Sequence, residues 1–156
     1  MIAIDIPGHR KIEAKHLVLD YNGTLAIDGR LIEGTKQLLE VLSHQLTIHV
    51  LTGDTFGTSK DELKDINCRH IILNSSQQDE QKEHYVGNLP QDNVIAIGNG
   101  QNDRLMFEQS ALSIMVIQQE GAFSKLISVS DIVCLSIADA LNLLLNPLRI
   151  IATLRK

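Results

Sequence analysis

Tryptophan is absent from this chain of 156 residues, and aromatic side chains make up only 3% of it. So few rings leave no stacking platform for single-stranded nucleic acid. The net charge of -5 gives no general attraction to nucleic-acid phosphates or anionic lipid. No run of about 18 apolar residues occurs, so nothing reads as a bilayer-spanning helix. The apolar stretch from Leu141 to Leu154 is broken by Asn142, Asn146, Pro147 and Arg149. Met1 to Pro7 lacks a basic region followed by a long apolar core and does not read as a secretory signal. Cysteine is scarce: Cys68 and Cys134 lie in or beside apolar runs and read as buried, reduced thiols, in keeping with a cytoplasmic location. Without a signal, the acceptor strings at Asn22 and Asn74 carry no glycosylation meaning. The six histidines form no pair at metal-ligand spacing, and His44, His49 and His70 fall in or near core elements. Repeats, low-complexity tracts and linkers are also missing, so the expectation is one domain over 1–156.

The apolar fraction of 44% against 21% charged residues is that of a globular chain with a core. Strand-like and helix-like patterns alternate, which predicts an α/β fold: a mostly parallel, doubly wound sheet between two helical layers. Strands are expected at 16–20, 46–51, 69–73, 93–97, 112–117 and 131–135. Helices are expected at 34–44, 57–66, 79–89, 101–110, 121–128 and 137–145, with Pro147 kinking or ending the last. The segment 25–33 alternates around Asp28-Gly29 and reads as a small hairpin.

The chemistry concentrates at strand ends. The apolar run Leu17-Val18-Leu19 delivers Asp20 to the turn Tyr21-Asn22-Gly23-Thr24. In a doubly wound sheet such C-terminal strand ends face the ligand crevice. A carboxylate there can act as a nucleophile toward a phosphoryl group. Leu51-Thr52-Gly53-Asp54 follows the second strand, where the Thr52 hydroxyl and the Gly53 amide can hold a phosphoryl oxygen; Asp54 orients the loop or caps a helix. Gly98-Asn99-Gly100-Gln101-Asn102-Asp103 follows the fourth. Its glycines permit positive φ and close backbone approach, and Asp103 offers oxygen to a hard divalent cation such as magnesium. Lys82 is the only lysine between the third and fourth strands.

In this order, the four segments resemble the four motifs of the haloacid dehalogenase-like (HAD-like) superfamily. The closest flavour is the phosphorylation domain of P-type ATPases. The resemblance runs from about His16 to about Asp139. It implies a three-layer, Rossmann-like fold with Asp20, Asn22, Thr52 and Lys82 as catalytic residues. It places phosphate against Asp20, Tyr21, Asn22, Thr52, Gly53 and Lys82, and Mg2+ against Asp20, Asn22, Asn99 and Asp103. The lysine offsets charge between nucleophile and phosphate, and Asn102 orients Asp103 or the lysine. The 25–33 hairpin corresponds to the flap beside the active site. Neither it nor the short loop 74–80 has room for a cap domain, so the chain resembles a capless member with an open site.

Two positions depart from the family. Phosphatases of this superfamily carry a second aspartate two residues after the nucleophile, to protonate the leaving group and then activate water. Here that residue is Asn22, which can do neither, and such a loss typically costs about 10²–10⁴ in rate. Asn99 replaces a frequent metal-binding aspartate, so magnesium is expected to bind more weakly. P-type ATPases likewise lack the second acid, and their aspartyl phosphate is long-lived. The expected activity is a slow magnesium-dependent phosphohydrolase or phosphotransferase. The alternative is a non-catalytic phosphate-binding or regulatory protein. Ion transport is excluded, because there is neither a membrane segment nor room for a nucleotide-binding insert. Expected partners are a phosphorylated small molecule or macromolecule, with no nucleic acid and no membrane. The apolar C-terminal tail either covers the sheet or joins copies in a homo-oligomer.

Overall fold

The computed structural model describes residues 1–156. The chain begins with an antiparallel hairpin, β1 (Ile2–Asp5) and β2 (Lys11–Ala14), whose alternating burial turns Ile2, Ile4, Ile12 and Ala14 inward. This hairpin has no counterpart among the expected elements. The chain then enters β3 (His16–Asp20) and a two-stranded flap, β4 (Ala26–Ile27) and β5 (Arg30–Leu31). Alternating helices and strands follow: α1 (Thr35–Ser43), β6 (Thr47–Thr52), α2 (Ser59–Leu63), β7 (Arg69–Ile72), α3 (Gln78–Gly87) and β8 (Val94–Gly98). The rest comprises α4 (Arg104–Glu108), β9 (Leu112–Val116), β10 (Ile132–Cys134), α5 (Ile137–Leu145) and α6 (Pro147–Leu154).

Six strands form one parallel sheet in the order β10-β9-β8-β3-β6-β7. The order reverses around β3, the mark of a doubly wound sheet with its crevice above the central strand ends. Strands buried on both faces need near-continuous apolar runs. Leu17 and Leu19 of β3 accordingly join the larger core layer, with Leu39 of α1 and Leu141 of α5. Val18 joins the other layer, with Val86 of α3 and Met106 of α4. The three-layer α/β/α expectation therefore holds. Flap and 73–77 loop both run directly into helices, with no cap domain between.

The differences are local. Residues 124–129, inside the helix expected over 121–128, wind only as a 3₁₀ segment. The expected 101–110 helix starts as a 3₁₀ turn over Gln101–Asp103. Pro147 opens a second helix rather than ending the structure. Its missing N–H suits a first helical turn, and α6 turns about 100° from α5 to pack on β1. Ile150 is buried there, whereas Leu148 stays exposed. No single helix is long and apolar enough to cross a membrane. Cys134 is buried and Cys68 half-buried, both as free thiols.

Of the three histidines expected near the core, His44 is exposed at the end of α1. His70 bonds Ser59 Oγ at 2.9 Å. His49 is wholly buried in β6, between His16 Nδ1 at 3.1 Å and the Tyr85 hydroxyl at 2.8 Å. Burial, then the neighbouring His16 and Arg69, push the His49 imidazole down to about 4, so it folds as the neutral ring.

Candidate active site

Parallel pairing sets the site's frame. Asp20 ends β3, level with Leu51 of β6, while Leu19 is level with Ile97 of β8. Thr52 and the 98–103 loop thus rise on either side of Asp20. Lys82 reaches the same point from the second turn of α3.

Its ammonium donates to Asp20 Oδ1 at 2.6 Å and to Asp103 Oδ1 at 2.6 Å. The lysine is fully buried, an arrangement rare unless the charge is paired. Burial alone would depress the ammonium, but the carboxylates of Asp103 and Asp20 override it and hold its pKa above the usual lysine range. Burial and the Asp103 charge outweigh Lys82 at the nucleophile candidate and push Asp20 up to about 6. Asp20 is still mostly ionised at neutral pH.

The second oxygen of Asp20 accepts from the Thr24 hydroxyl at 3.2 Å, and the same hydroxyl lies 3.3 Å from Asn99 Oδ1. One hydroxyl proton serves only one acceptor at a time. Two oxygens therefore converge with a single donor between them. Asn22 Oδ1 is buried with no hydrogen-bond partner at all. The oxygens of Asp20, Asn99 and Asn22 are hard donors of the kind that suits a hard divalent cation. Only one of the three carries a charge, however. No group of three or more His, Cys, Asp or Glu side chains gathers around a metal position anywhere in the molecule.

Several expected residues have other tasks. Asp103 spends Oδ1 on Lys82 and Oδ2 on the amides of Asn99 and Gly100, at 2.9 and 2.8 Å. It first holds the lysine and the loop. Positive φ is not what Gly98 and Gly100 supply, since neither adopts it. Gly98 is required for space: a Cβ there would stand 2.4 Å from Asp103 Oδ2. The Tyr21 side chain is buried in the core and donates to the Gly29 carbonyl at 3.0 Å, pinning the flap rather than lining the site. Asn102 donates to Gln78 Oε1 at 3.0 Å instead of orienting Asp103 or the lysine. Thr52 Oγ1 accepts from the Asp54 amide at 2.9 Å, which leaves its own proton to donate. Asp54 Oδ1 in turn accepts from the Ser59 amide at the start of α2, at 3.1 Å.

Three residues were not anticipated from sequence. Thr24 bridges Asp20 and Asn99, and its place in the Asp20–Thr24 turn was a usable signal. Gln118 Nε2 donates to the carbonyls of Gly23 and Thr24 at 3.0 and 2.9 Å, bracing the Asp20–Thr24 turn from the loop after β9. Nothing in its sequence context marks it. Gln78 lies four residues before Lys82, on the same face of α3.

A groove of about 460 Å³ between β7 and α3 and one of about 480 Å³ beside the flap are lined by other residues, including neither Asp20 nor Lys82.

No protein-family model matches the chain. Two curated proteins of Methanocaldococcus jannaschii, both uncharacterized, are similar to it. MJ0073 is 54% identical over 66 residues, 42% of this chain and 71% of its own length. MJ0072 is 44% identical over 39 residues, 25% of this chain and 89% of its own length. Neither match is long enough to span Asp20 to Asp103. Among solved structures, similarity extends to the 3-deoxy-D-manno-octulosonate 8-phosphate phosphatase of Moraxella catarrhalis, in complex with magnesium, phosphate and KDO. The TM-score is 0.69 at 17% identity, covering 90% of this chain and 93% of that one. The cobalt-bound deoxy-D-mannose-octulosonate 8-phosphate phosphatase of Haemophilus influenzae matches at a TM-score of 0.67 and 15% identity, covering 86% and 89%. A protein assigned to HAD subfamily III A from Legionella pneumophila matches at 0.73 and 15%, covering 90% and 87%. These likenesses establish the HAD-like fold.

Proposed function

The chain belongs to the same family as MJ0073 and MJ0072, and we propose that it is a divalent-cation-dependent phosphohydrolase or phosphotransferase working through Asp20. The observation that carries this reading is the fully buried Lys82 ammonium, 2.6 Å from both Asp20 and Asp103 at the end of the central strand. Burying such a cluster of charges is costly, and titratable groups held this way at a crevice are candidates for function. One oxygen of the Asp20 carboxylate forms the new O–P bond while the bond to the leaving oxygen breaks, giving an aspartyl phosphate. Lys82 neutralises charge between nucleophile and phosphoryl group. The Thr52 hydroxyl and the Gly53 amide take phosphoryl oxygens. Asp20, Asn22, Asn99 and Asp103 are the residues that would hold Mg2+. A bound divalent ion supplies the remaining positive charge on the transferring group.

Asn22 sets the rate. Its amide neither protonates the leaving oxygen nor takes a proton from water, so the adduct hydrolyses slowly. That behaviour, with the Leu51–Asp54 and Gly98–Asp103 strings, is the P-type ATPase-like part of the proposal. The same amide favours a second reading, in which the pocket binds phosphate for regulation without turnover.

The test is turnover of p-nitrophenyl phosphate with magnesium, on fresh protein, because Asn22-Gly23 is prone to deamidation into aspartate. We expect slow turnover, abolished by Asp20→Asn and raised about 10²–10⁴-fold by Asn22→Asp. No turnover in either the native or the Asn22→Asp protein, together with no beryllium fluoride adduct on Asp20, overturns phosphoryl chemistry.

A further inference from the structure

The carboxamide of Gln78 spans the mouth between the two loops that flank Asp20. On one side, its Oε1 accepts from Asn102 Nδ2 at 3.0 Å, tying α3 to the 98–103 loop. On the other, its Nε2 lies against the backbone of Gly53. A Cβ on Gly53 would stand 2.3 Å from that nitrogen, so a larger residue there would push the carboxamide aside. In the structure Oε1 faces Asn102 and Nε2 faces Gly53. The only side-chain hydrogen bond of Gln78 is the one its Oε1 accepts from Asn102, so Nε2 donates to no protein group. Gln78 and Lys82 share a face of α3 one turn apart, the lysine buried at Asp20 and the glutamine half-buried at the rim.

We infer that Gln78 is a phosphate-binding residue of this site: its free Nε2–H donors complete the oxygen cradle begun by Thr52, Gly53 and Lys82. This rests on the proposed phosphoryl chemistry and assigns it one more contact. The geometry is that of a preorganised donor. Its oxygen end is anchored, its nitrogen end has nothing to bond in the protein, and a glycine opposite makes room for it. A neutral donor suits this rim, because it binds a dianion without adding to the charge that Lys82 already supplies. Hydrogen bonds to charged groups are the stronger class, so loss of one reads as about a tenfold weaker complex.

The experiment compares native protein with Gln78→Ala, Gln78→Met and Gln78→Glu. Inorganic phosphate binding is measured by calorimetry, and p-nitrophenyl phosphate kinetics are run on the Asn22→Asp background, where turnover is faster. Thermal unfolding of each variant provides the folding control. The expected result is a roughly tenfold higher Kd and KM for Gln78→Ala and Gln78→Met, with kcat within about threefold. Gln78→Glu should be weaker still, since its carboxylate repels the phosphate while its oxygen still accepts from Asn102. A purely structural Gln78 would lower the unfolding temperature and leave Kd and KM of the folded protein unmoved; that outcome overturns the inference. Native protein that binds phosphate as tightly as all three variants overturns the inference alone. Native protein that neither binds phosphate nor turns over on the Asn22→Asp background overturns the proposed function as well.

Discussion

Replacing Lys82 by methionine tests the electrostatic account of the site most directly. Methionine fills a similar volume with no charge, leaving Asp20 and Asp103 facing each other. Each carboxylate oxygen lies 2.6 Å from the ammonium, so the two oxygens are at most twice that distance apart. At that separation, with an effective dielectric of about 20, two unit charges repel by about 3 kcal/mol. Removing one member of a buried charge cluster costs about 3–5 kcal/mol in measured cases, which agrees. We therefore expect Lys82→Met to lower unfolding free energy by about 3 kcal/mol at neutral pH, measured by urea denaturation followed by circular dichroism. Asp103→Asn should then behave oppositely in two backgrounds: destabilising beside the native lysine, stabilising beside methionine, with a coupling of at least about 2 kcal/mol. A loss under about 1 kcal/mol for Lys82→Met would refute the reasoning. So would additive effects in the double variant.

Acid should destabilise the fold through His49, whose pKa is pushed down to about 4 against about 6.5 in an unfolded chain. The stability from the neutral ring is fully present above about pH 6.5 and is lost as pH falls toward 4, by at most about 3 kcal/mol. His49→Asn should flatten the urea-denaturation profile between pH 7 and 4.5, and an unchanged slope would contradict this. Magnesium titrated by calorimetry should bind more weakly than micromolar, and Asn99→Asp should tighten it at least about tenfold; tight native binding would refute the charge count. Gly53→Ala should displace the flexible Gln78 carboxamide at a cost of under about 1 kcal/mol in denaturation midpoint, and should weaken phosphate binding about as much as Gln78→Ala does; a larger loss of stability would contradict this.

The fold was legible because strands buried on both faces leave unmistakable apolar runs, such as Leu17-Val18-Leu19 and Val94-Ile95-Ala96-Ile97. The β1–β2 hairpin escaped notice because Ile2-Ala3-Ile4-Asp5 is short and its partner Lys11-Ile12-Glu13-Ala14 is half charged. Only their pairing makes the alternation meaningful. The α5–α6 break was visible at Pro147, but proline both ends helices and begins them, and the contact with β1 decided which. At the site, Asp20, Lys82 and Asp103 could be named because the segments that carry them resemble, in order, the motifs of a known superfamily. Their partners could not. Gln78 and Gln118 are ordinary polar residues in sequence, and they gain meaning only from the loops that the sheet brings against them. Asp103 shows the converse: its carboxylate was foreseen, but both of its oxygens are claimed by Lys82 and backbone amides.

The Thr52 hydroxyl, the Lys82 ammonium and the Asp20 carboxylate come from three distant stretches of chain, and Asp103 is translated last of the set. A nascent polypeptide halted before that aspartate would hold a lysine with one partner missing, in a half-wound sheet. On the proposed reading, phosphate capture would then be an all-or-none property of the finished protein. Occupancy of the site in turn draws on the free energy of the whole fold, so a bound oxyanion should raise the resistance of every strand to unfolding together.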